Sequence, residues 1–326
     1  MVFILRCMRA CGCRWKPRPT PGTHQKWSCR TTRSAARYGR LDVLQWAVQN
    51  GCGWDVTLCA AAAKHGHLNI MKWARANGCK WDARTYAAAA KYGSLSMLKW
   101  LARQACPWSS EACAVAAGKG HLDALKWLHK RGCPWKEDTC WRAAKRGRLH
   151  VLQWARDNGC HWDRYTCIMA ARHGHLDVLT WARTGGCPWD SNVCLEAAEH
   201  GHFDVLKWAH SHGCPRTAAV AASAALVGHL EMLQWLRANG YGWNERTCLH
   251  AARGGHLALL QWARQNGCPW HPDAVAIAAE NGNLDVVQWT LANGYAYEGA
   301  EVCARAAGGG PSVGGSVVAR KRVSLG

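Results

Sequence analysis

Apolar and polar positions repeat along this chain with a strict period of 27 residues. Within each period, two short segments place apolar residues three and four positions apart, as on one face of an α-helix. Two helices of about nine residues are not stable alone, so they must bury their apolar faces against neighbouring copies. The pattern therefore predicts an all-α solenoid of about ten short helix-turn-helix repeats.

The stretch 162–187 shows how one repeat is organised. Asp163 is a good N-cap for a first helix that we predict over Arg164–Arg172. Gly174 is suited to the left-handed conformation that ends a helix. A second helix is predicted over His175–Thr184, and Gly185 and Gly186 end it before the linker to the next repeat.

Tryptophan occurs 21 times and phenylalanine only twice, which no ordinary globular core shows. We expect the tryptophans of the second helices to be fully buried and to replace phenylalanine in the core. Leu176 and Leu179 represent two further columns of expected core residues, whereas the neighbouring column at Thr180, mostly Gln or Lys, is expected to face solvent. The structural tryptophans of the second helices are Trp46, Trp73, Trp100, Trp127, Trp154, Trp181, Trp208, Trp235, Trp262 and Trp289.

Several repeats share an Ala-Ala-x-x-Gly-His-Leu core, as in residues 251–257, and residues 247–250 are Thr-Cys-Leu-His. These segments resemble the Ala-Ala-x-x-Gly-His core and the Thr-Pro-Leu-His opening of ankyrin repeats. The resemblance covers about Trp27 to Gly310. It departs in length, since the family's usual repeat has about 33 residues, and a Gly-Cys-Pro-Trp linker stands in for the family's hairpin finger. The resemblance implies a non-catalytic, protein-binding scaffold.

Positive charge is concentrated at the chain ends. The formal net charge is +20, and residues 1–41 hold ten Lys or Arg and no acidic residue. We divide the chain into a basic, disordered head (1–26), the ankyrin-like array (27–310) and a flexible Gly/Ser/basic tail (311–326). The head weakly resembles an organelle transit peptide, with a mis-assigned start or plain disorder as the preferred alternative. The longest apolar stretch is too short to span a membrane.

Most of the 19 cysteines form two columns, one in the linkers and one seven positions later in the first helix. A bridge such as Cys52 to Cys59 is geometrically conceivable, but the columns are lost independently: Cys79 precedes Tyr86, and Cys214 precedes Ala221. We therefore expect reduced thiols in an intracellular, reducing compartment, the cytoplasm or nucleus.

No residue pattern indicates a metal, a cofactor or catalysis. The repeats contain no Cys-x2-Cys pair, and the head offers only a poor zinc pattern, in Cys7, Cys11, Cys13, His24 and Cys29. One glycine recurs every 27 residues, from Gly39 to Gly282, and the position after it is often His but also Arg, Ser or Asn. We interpret this column as turn hydrogen bonding, with pH sensing as the alternative.

We predict a monomeric scaffold that binds another protein through side chains that differ between repeats. Ordinary solvated or structural roles are the alternative for each of them. Arg216 replaces a linker tryptophan beside the Ala-rich helix predicted over Thr217–Val227, which suggests a shallow groove with a positive edge. The candidate contact residues are Glu111, Lys136, Trp141, Arg142, Tyr165, Met169, Glu196, Arg216, Arg246 and His250.

A second class of function remains open. The basic head together with a lysine column could bind nucleic acid or an anionic surface. That column comprises Lys72, Lys99, Lys126 and Lys207. Phosphate-driven binding falls steeply with salt, so a salt titration separates this alternative from protein binding.

Overall fold

The computed structural model describes residues 29–295, which contain twenty α-helices and no β-strand. The predicted head and tail lie outside the described residues. The described helices form two compact units, the first ending at Trp162 and the second beginning at Asp163. The N-terminal unit contains α1 (Cys29–Arg37), α2 (Leu41–Gln49), α3 (Thr57–Lys64), α4 (Leu68–Ala76), α5 (Ala83–Tyr92), α6 (Leu95–Arg103), α7 (Ser110–Lys119), α8 (Leu122–Lys130), α9 (Glu137–Ala144) and α10 (Leu149–Asp157). The C-terminal unit contains α11 (Arg164–Arg172), α12 (Leu176–Thr184), α13 (Asn192–Glu199), α14 (Phe203–Ser211), α15 (Ala218–Val227), α16 (Leu230–Ala238), α17 (Glu245–Gly254), α18 (Leu257–Gln265), α19 (Ala274–Glu280) and α20 (Leu284–Ala292).

The helices alternate between first and second helices of a repeat, which confirms the predicted all-α helix-turn-helix class. Helix α11 has the predicted bounds, and the Asp163 side chain accepts a hydrogen bond from the Tyr165 backbone N–H, as expected of an N-cap. Gly174 has a φ of 72°, in the left-handed region. Helix α12 begins at Leu176, one residue later than predicted.

Small residues form the core of each unit. Within each unit, consecutive first helices pack directly against each other, and each second helix packs on the first helix of its own repeat. The first helices can approach closely because most of their buried residues are Ala and Cys, as at Cys167, Ala170 and Ala171. Leu179 is fully buried beneath them, whereas Leu176 is only half-buried.

The expectation that the second-helix tryptophans are fully buried is wrong. The tryptophans of this column are half-buried, except Trp46, which is 40% exposed. An indole is too large for the close contact between Ala-rich helices, so it lies at the edge of the core. There it meets a linker tryptophan edge-to-face, with ring centroids 5.7 Å apart for Trp54 and Trp73 and 5.5 Å apart for Trp81 and Trp100.

The histidines that follow the recurring glycine form hydrogen bonds between one repeat and the previous one. Nε2 of His202 lies 3.1 Å from the Arg172 carbonyl oxygen, in the last turn of the preceding first helix. Because a carbonyl only accepts, Nε2 carries the proton and donates to a helix-end carbonyl that has no partner within its own helix. Asn283 makes the same bond to Arg253 through Nδ2, which explains why Asn is accepted in the column. The same histidine contact recurs at His67, His121 and His256.

The cysteine columns pair differently from the Cys52–Cys59 type of pair that the sequence analysis considered. The six cysteines of the first-helix column each contact the linker cysteine 20 residues later, and the Cys59 and Cys79 sulfurs are 3.7 Å apart. Because the linker folds back onto the first helix of its own repeat, single loss of a cysteine holds at Tyr86, opposite Cys106, and at Thr32, opposite Cys52. Where Ala221 replaces the first cysteine, Tyr241 replaces the second. The other pairs are Cys113–Cys133, Cys140–Cys160, Cys167–Cys187, Cys194–Cys214 and Cys248–Cys268.

Candidate functional site

A groove crosses the first helices of the N-terminal unit, with a cavity of about 390 Å³. Its floor is made of small residues of α5 and α7, including Ala88, Ala114 and Gly118. Ala88 and Gly118 keep part of their surface accessible between the longer side chains at the rim, whereas Ala114 is fully buried. The rim and ends carry seven cationic residues, Lys64, Arg84, Lys91, Lys119, Arg142, Lys145 and Arg146.

The helix ends account for much of this charge. Lys64, Lys91 and Lys119 stand in the last turns of α3, α5 and α7, where a cation interacts favourably with the helix dipole. Because the repeats stack in register, residues in the last turn of each first helix come to the same side of the unit. Glu111 is the one acidic residue among the described residues that line the groove.

Trp141 and Arg142 lie together at one end of the groove. The Arg142 guanidinium carbon is 5.4 Å from the centroid of the Trp141 ring, within cation–π range. Arg142 Nε also lies 4.0 Å from a carboxylate oxygen of Asp138. Burial raises the pKa of the Asp138 carboxyl, and the Arg142 guanidinium opposes that shift.

Three of the predicted contact residues, Glu111, Trp141 and Arg142, therefore line one groove. Lys136 is exposed just before α9 but does not line it. The sequence did not indicate the other six cationic residues of the groove, because the candidates were residues that vary between repeats. The recurrence of Lys64 and Lys91, one period apart, is the signal that could have found them.

The remaining predicted residues lie in the C-terminal unit. Tyr165, Arg216 and Arg246 are exposed, and Met169 is half-buried. Each of these four stays a candidate contact residue.

Glu196 and His250 have structural partners in that unit. Arg172 donates to the Glu196 carboxylate at 2.8 Å, and His250 Nδ1 lies 3.1 Å from the Ala222 carbonyl oxygen. Burial lowers the pKa of His250, and the hydrogen bond to Ala222 opposes that shift. Both side chains are thus engaged within the chain itself.

Within residues 29–295, no three His, Cys, Asp or Glu side chains come together as a metal site. Of the head residues considered for zinc, only Cys29 is described, and it is half-buried. In the same part of the chain, no helix is long and apolar enough to cross a membrane.

The geometry defines an all-α helical repeat protein, and its arrangement is consistent with the ankyrin-like repeat that the sequence resembles. No protein-family model matches the sequence, and no curated protein matches it. The human ASB11 ankyrin repeat domain is similar in structure, with a TM-score of 0.42 and 16% identity over 48% of this chain and 84% of that one. The pentatricopeptide repeat protein PPR10, in complex with an 18-nt psaJ RNA element, has a TM-score of 0.47 and 14% identity over 85% of this chain. The present chain spans 50% of the length of that PPR10 chain.

Proposed function

We propose that this chain is a non-catalytic binding scaffold that holds an acidic segment of a partner protein in the groove of the N-terminal unit. The observation that carries the proposal is the charge of the groove, where seven cationic residues surround one glutamate. Complementary charge accelerates encounter with an acidic partner and disfavours basic ones. The candidate contacts of the C-terminal unit, Tyr165, Met169, Arg216 and Arg246, extend the proposal to a second surface.

Two features favour a protein segment over a nucleic-acid strand. Trp141 and the half-buried floor residues Ala88 and Val115 offer apolar surface on which a partner's side chains can pack. Glu111 repels a continuous phosphate backbone, whereas a protein segment can place a lysine or arginine beside it. Three members of the lysine column, Lys72, Lys99 and Lys126, are exposed on second helices and do not line this groove.

Peptide display selection against the full chain tests the proposal. We expect the enriched peptides to combine Asp or Glu with at least one large apolar residue. The double variant Lys91→Glu/Lys119→Glu should bind these peptides at least tenfold more weakly, about 1.4 kcal/mol. The control Lys72→Glu/Lys126→Glu makes the same charge change on the second helices and should leave binding within about twofold.

Two outcomes contradict the proposal. One is an equal loss of binding in both double variants, which would indicate an effect of net charge rather than of the groove. The other is selection of no peptide while single-stranded RNA binds with a steep salt dependence, which would support the nucleic-acid alternative.

A further inference from the structure

Five of the described repeats share a contact that the repeat containing Ala102 lacks. A second-helix arginine commonly covers the ring of the linker tryptophan six residues later, with the guanidinium carbon 4.6 Å from the ring centroid for Arg75 and Trp81. The same guanidinium donates to the Cys79 carbonyl oxygen. The corresponding pairs are Arg156–Trp162, Arg183–Trp189, Arg237–Trp243 and Arg264–Trp270, at 4.1–5.9 Å. Where the arginine is replaced by His129, the imidazole stacks on Trp135 at 3.9 Å.

Val48 occupies the arginine position before Trp54, and Ala102 occupies it before Trp108. The Ala102 side chain ends at Cβ, so it cannot cover Trp108, and the indole lines a cavity of about 700 Å³. This volume lies within the range of small-molecule sites, roughly 300–1,000 Å³. Trp108 also meets Tyr86, with the ring centroids 5.5 Å apart and the ring planes nearly perpendicular. This contact restricts the indole, which lines the cavity.

The cavity is cationic and aromatic. Lys99, Arg103 and Arg131 line it together with Trp108 and Trp127, and none of its described lining residues is acidic. The Arg131 guanidinium carbon lies 5.7 Å from the centroid of the Trp127 ring. Anions are attracted to such a site, and the planar guanidinium of an arginine suits phosphate.

Three departures from the repeat meet in this cavity. Ala102 stands in the arginine position, and Arg131 stands where Asn50, Asn77 and Asn158 occur in other repeats. Ala105 has a φ of 51° at a linker position that is otherwise glycine, and among the described residues it is the one non-glycine with positive φ. Departures at separate positions of the repeat thus alter the same local surface.

We propose that this cavity binds a small planar aromatic anion, of which a nucleoside monophosphate is the representative. The aromatic ring stacks on Trp108 in the space that a guanidinium fills in other repeats. The phosphate meets Lys99, Arg103 and Arg131. Helices α6 and α8 and the linker before α7 build this site, whereas the groove lies on first helices, so the two proposals are independent.

Adenosine monophosphate (AMP) and the full chain provide the test. Calorimetry should show binding that weakens with added salt, and saturation-transfer NMR should show contact with the adenine protons. Adenosine, which lacks the charge, and inorganic phosphate, which lacks the ring, should each bind at least about tenfold more weakly. Failure of AMP to bind at millimolar concentration, or equal binding of adenosine, overturns the proposal.

Two variants locate the site. Ala102→Arg places the usual guanidinium over Trp108 and should weaken AMP binding at least about tenfold without lowering the unfolding temperature. Arg131→Gln removes one cation and should weaken binding without filling the cavity. Unchanged AMP affinity in both variants shows that the nucleotide binds elsewhere and excludes this site.

Arg75→Ala is the matched control. It uncovers Trp81 in the same way, but Ala76 and Gln104 stand there in place of Arg103 and Arg131. The change should therefore create no second site, and a second equivalent of bound AMP would show that stacking alone suffices, contrary to the proposal. The binding of a short oligoadenylate should be compared with that of AMP, in both Ala102→Arg and the parent. This comparison tests whether the natural ligand is the end of a strand or a free nucleotide. Loss of oligoadenylate binding in Ala102→Arg supports the site and assigns it to strand ends.

Discussion

The imidazole of His202 lies directly against Gly174 of the preceding repeat. A Cβ atom added at Gly174 would approach Nδ1 of His202 to 2.6 Å, closer than real Cβ contacts. Gly174 also has a left-handed backbone, so the repeat needs glycine there for two separate reasons. The same pairing occurs between Gly39 and His67, where the closest approach is again 2.6 Å.

Two glycine substitutions separate these reasons. Gly186 is left-handed as well, with a φ of 82°, but an added Cβ there meets nothing within 4 Å. Gly186→Ala should cost about 1 kcal/mol of unfolding free energy from backbone strain alone. Gly174→Ala should cost about 2–4 kcal/mol, because the imidazole must also move. Urea denaturation of both variants measures the difference.

A double-mutant cycle provides the control. In a His202→Ala background, the cost of Gly174→Ala should fall to that of Gly186→Ala. An unchanged cost would show that the imidazole does not restrict this glycine.

The second-helix tryptophans should stabilise the interfaces between repeats despite being half-buried. Trp154 meets Trp135 edge-to-face at 5.8 Å, and Trp46 belongs to the first described repeat and is 40% exposed. We expect Trp154→Ala to cost about 2–4 kcal/mol, and Trp46→Ala less, since a terminal repeat has one interface. Equal denaturation midpoints for both variants and the parent would exclude this role.

The cysteine thiols should be free. The buried sulfurs of each pair are in van der Waals or hydrogen-bonding contact, and linker thiols such as Cys187 also lie near a backbone carbonyl, 3.3 Å from that of Asp163. Burial raises the pKa of Cys106 to about 12, so very little reactive thiolate is present at neutral pH. Thiol titration under denaturing, non-reducing conditions should find nearly all 19 cysteines free. A count of only a few contradicts the prediction.

Stability should decrease in mildly acidic solution. Burial lowers the folded-state pKa of His250, with the hydrogen bond to Ala222 raising it and the charges of Arg253 and Arg246 lowering it further. The neutral imidazole therefore stabilises the fold above the unfolded pKa of about 6.5. This contribution is lost as the pH falls towards the folded pKa, because the unfolded chain takes up the proton first.

The urea concentration at the unfolding midpoint of the parent should thus decrease as the pH is lowered from 7.5 to 5.5. His250→Gln should flatten part of this dependence, whereas His212→Gln, at an exposed position, is the control. Identical pH profiles of all three proteins would rule out His250 as a contributor.

Arg216 interrupts the linker tryptophans, and restoring the pattern tests its role. The second-helix partner at this place, Trp235, is contacted instead by His210 at 5.1 Å and Phe203 at 5.7 Å. Arg216→Trp should add an aromatic contact and raise stability by about 0.5–1.5 kcal/mol. If Arg216 lies at the edge of a groove that binds a partner, peptides selected against the surface around Arg216 should bind the Arg216→Trp variant about tenfold more weakly. Greater stability with unchanged affinity indicates a decayed repeat that the stack tolerates.

The sequence by itself determined the elements that depend on neighbouring residues. The 27-residue period, the helix Arg164–Arg172, its Asp163 N-cap and the left-handed Gly174 could all be predicted. Capping and backbone conformation act over three or four positions, so a local pattern contains the necessary information. Three members of the groove, Glu111, Trp141 and Arg142, were also found from sequence, as residues that break the repeat.

Only the tertiary structure decided which side chains meet across the repeat. Close packing of Ala and Cys between first helices excludes the indoles from the centre, so the second-helix tryptophans lie at the edge of the core. Cys59 meets Cys79, and His202 meets Arg172, because stacking brings together residues 20 and 30 positions apart. The lysine rim of the groove and the cavity beside Ala102 arise in the same way, from side chains of different repeats. Such contacts depend on the spacing and rotation between stacked helices, which no single repeat specifies.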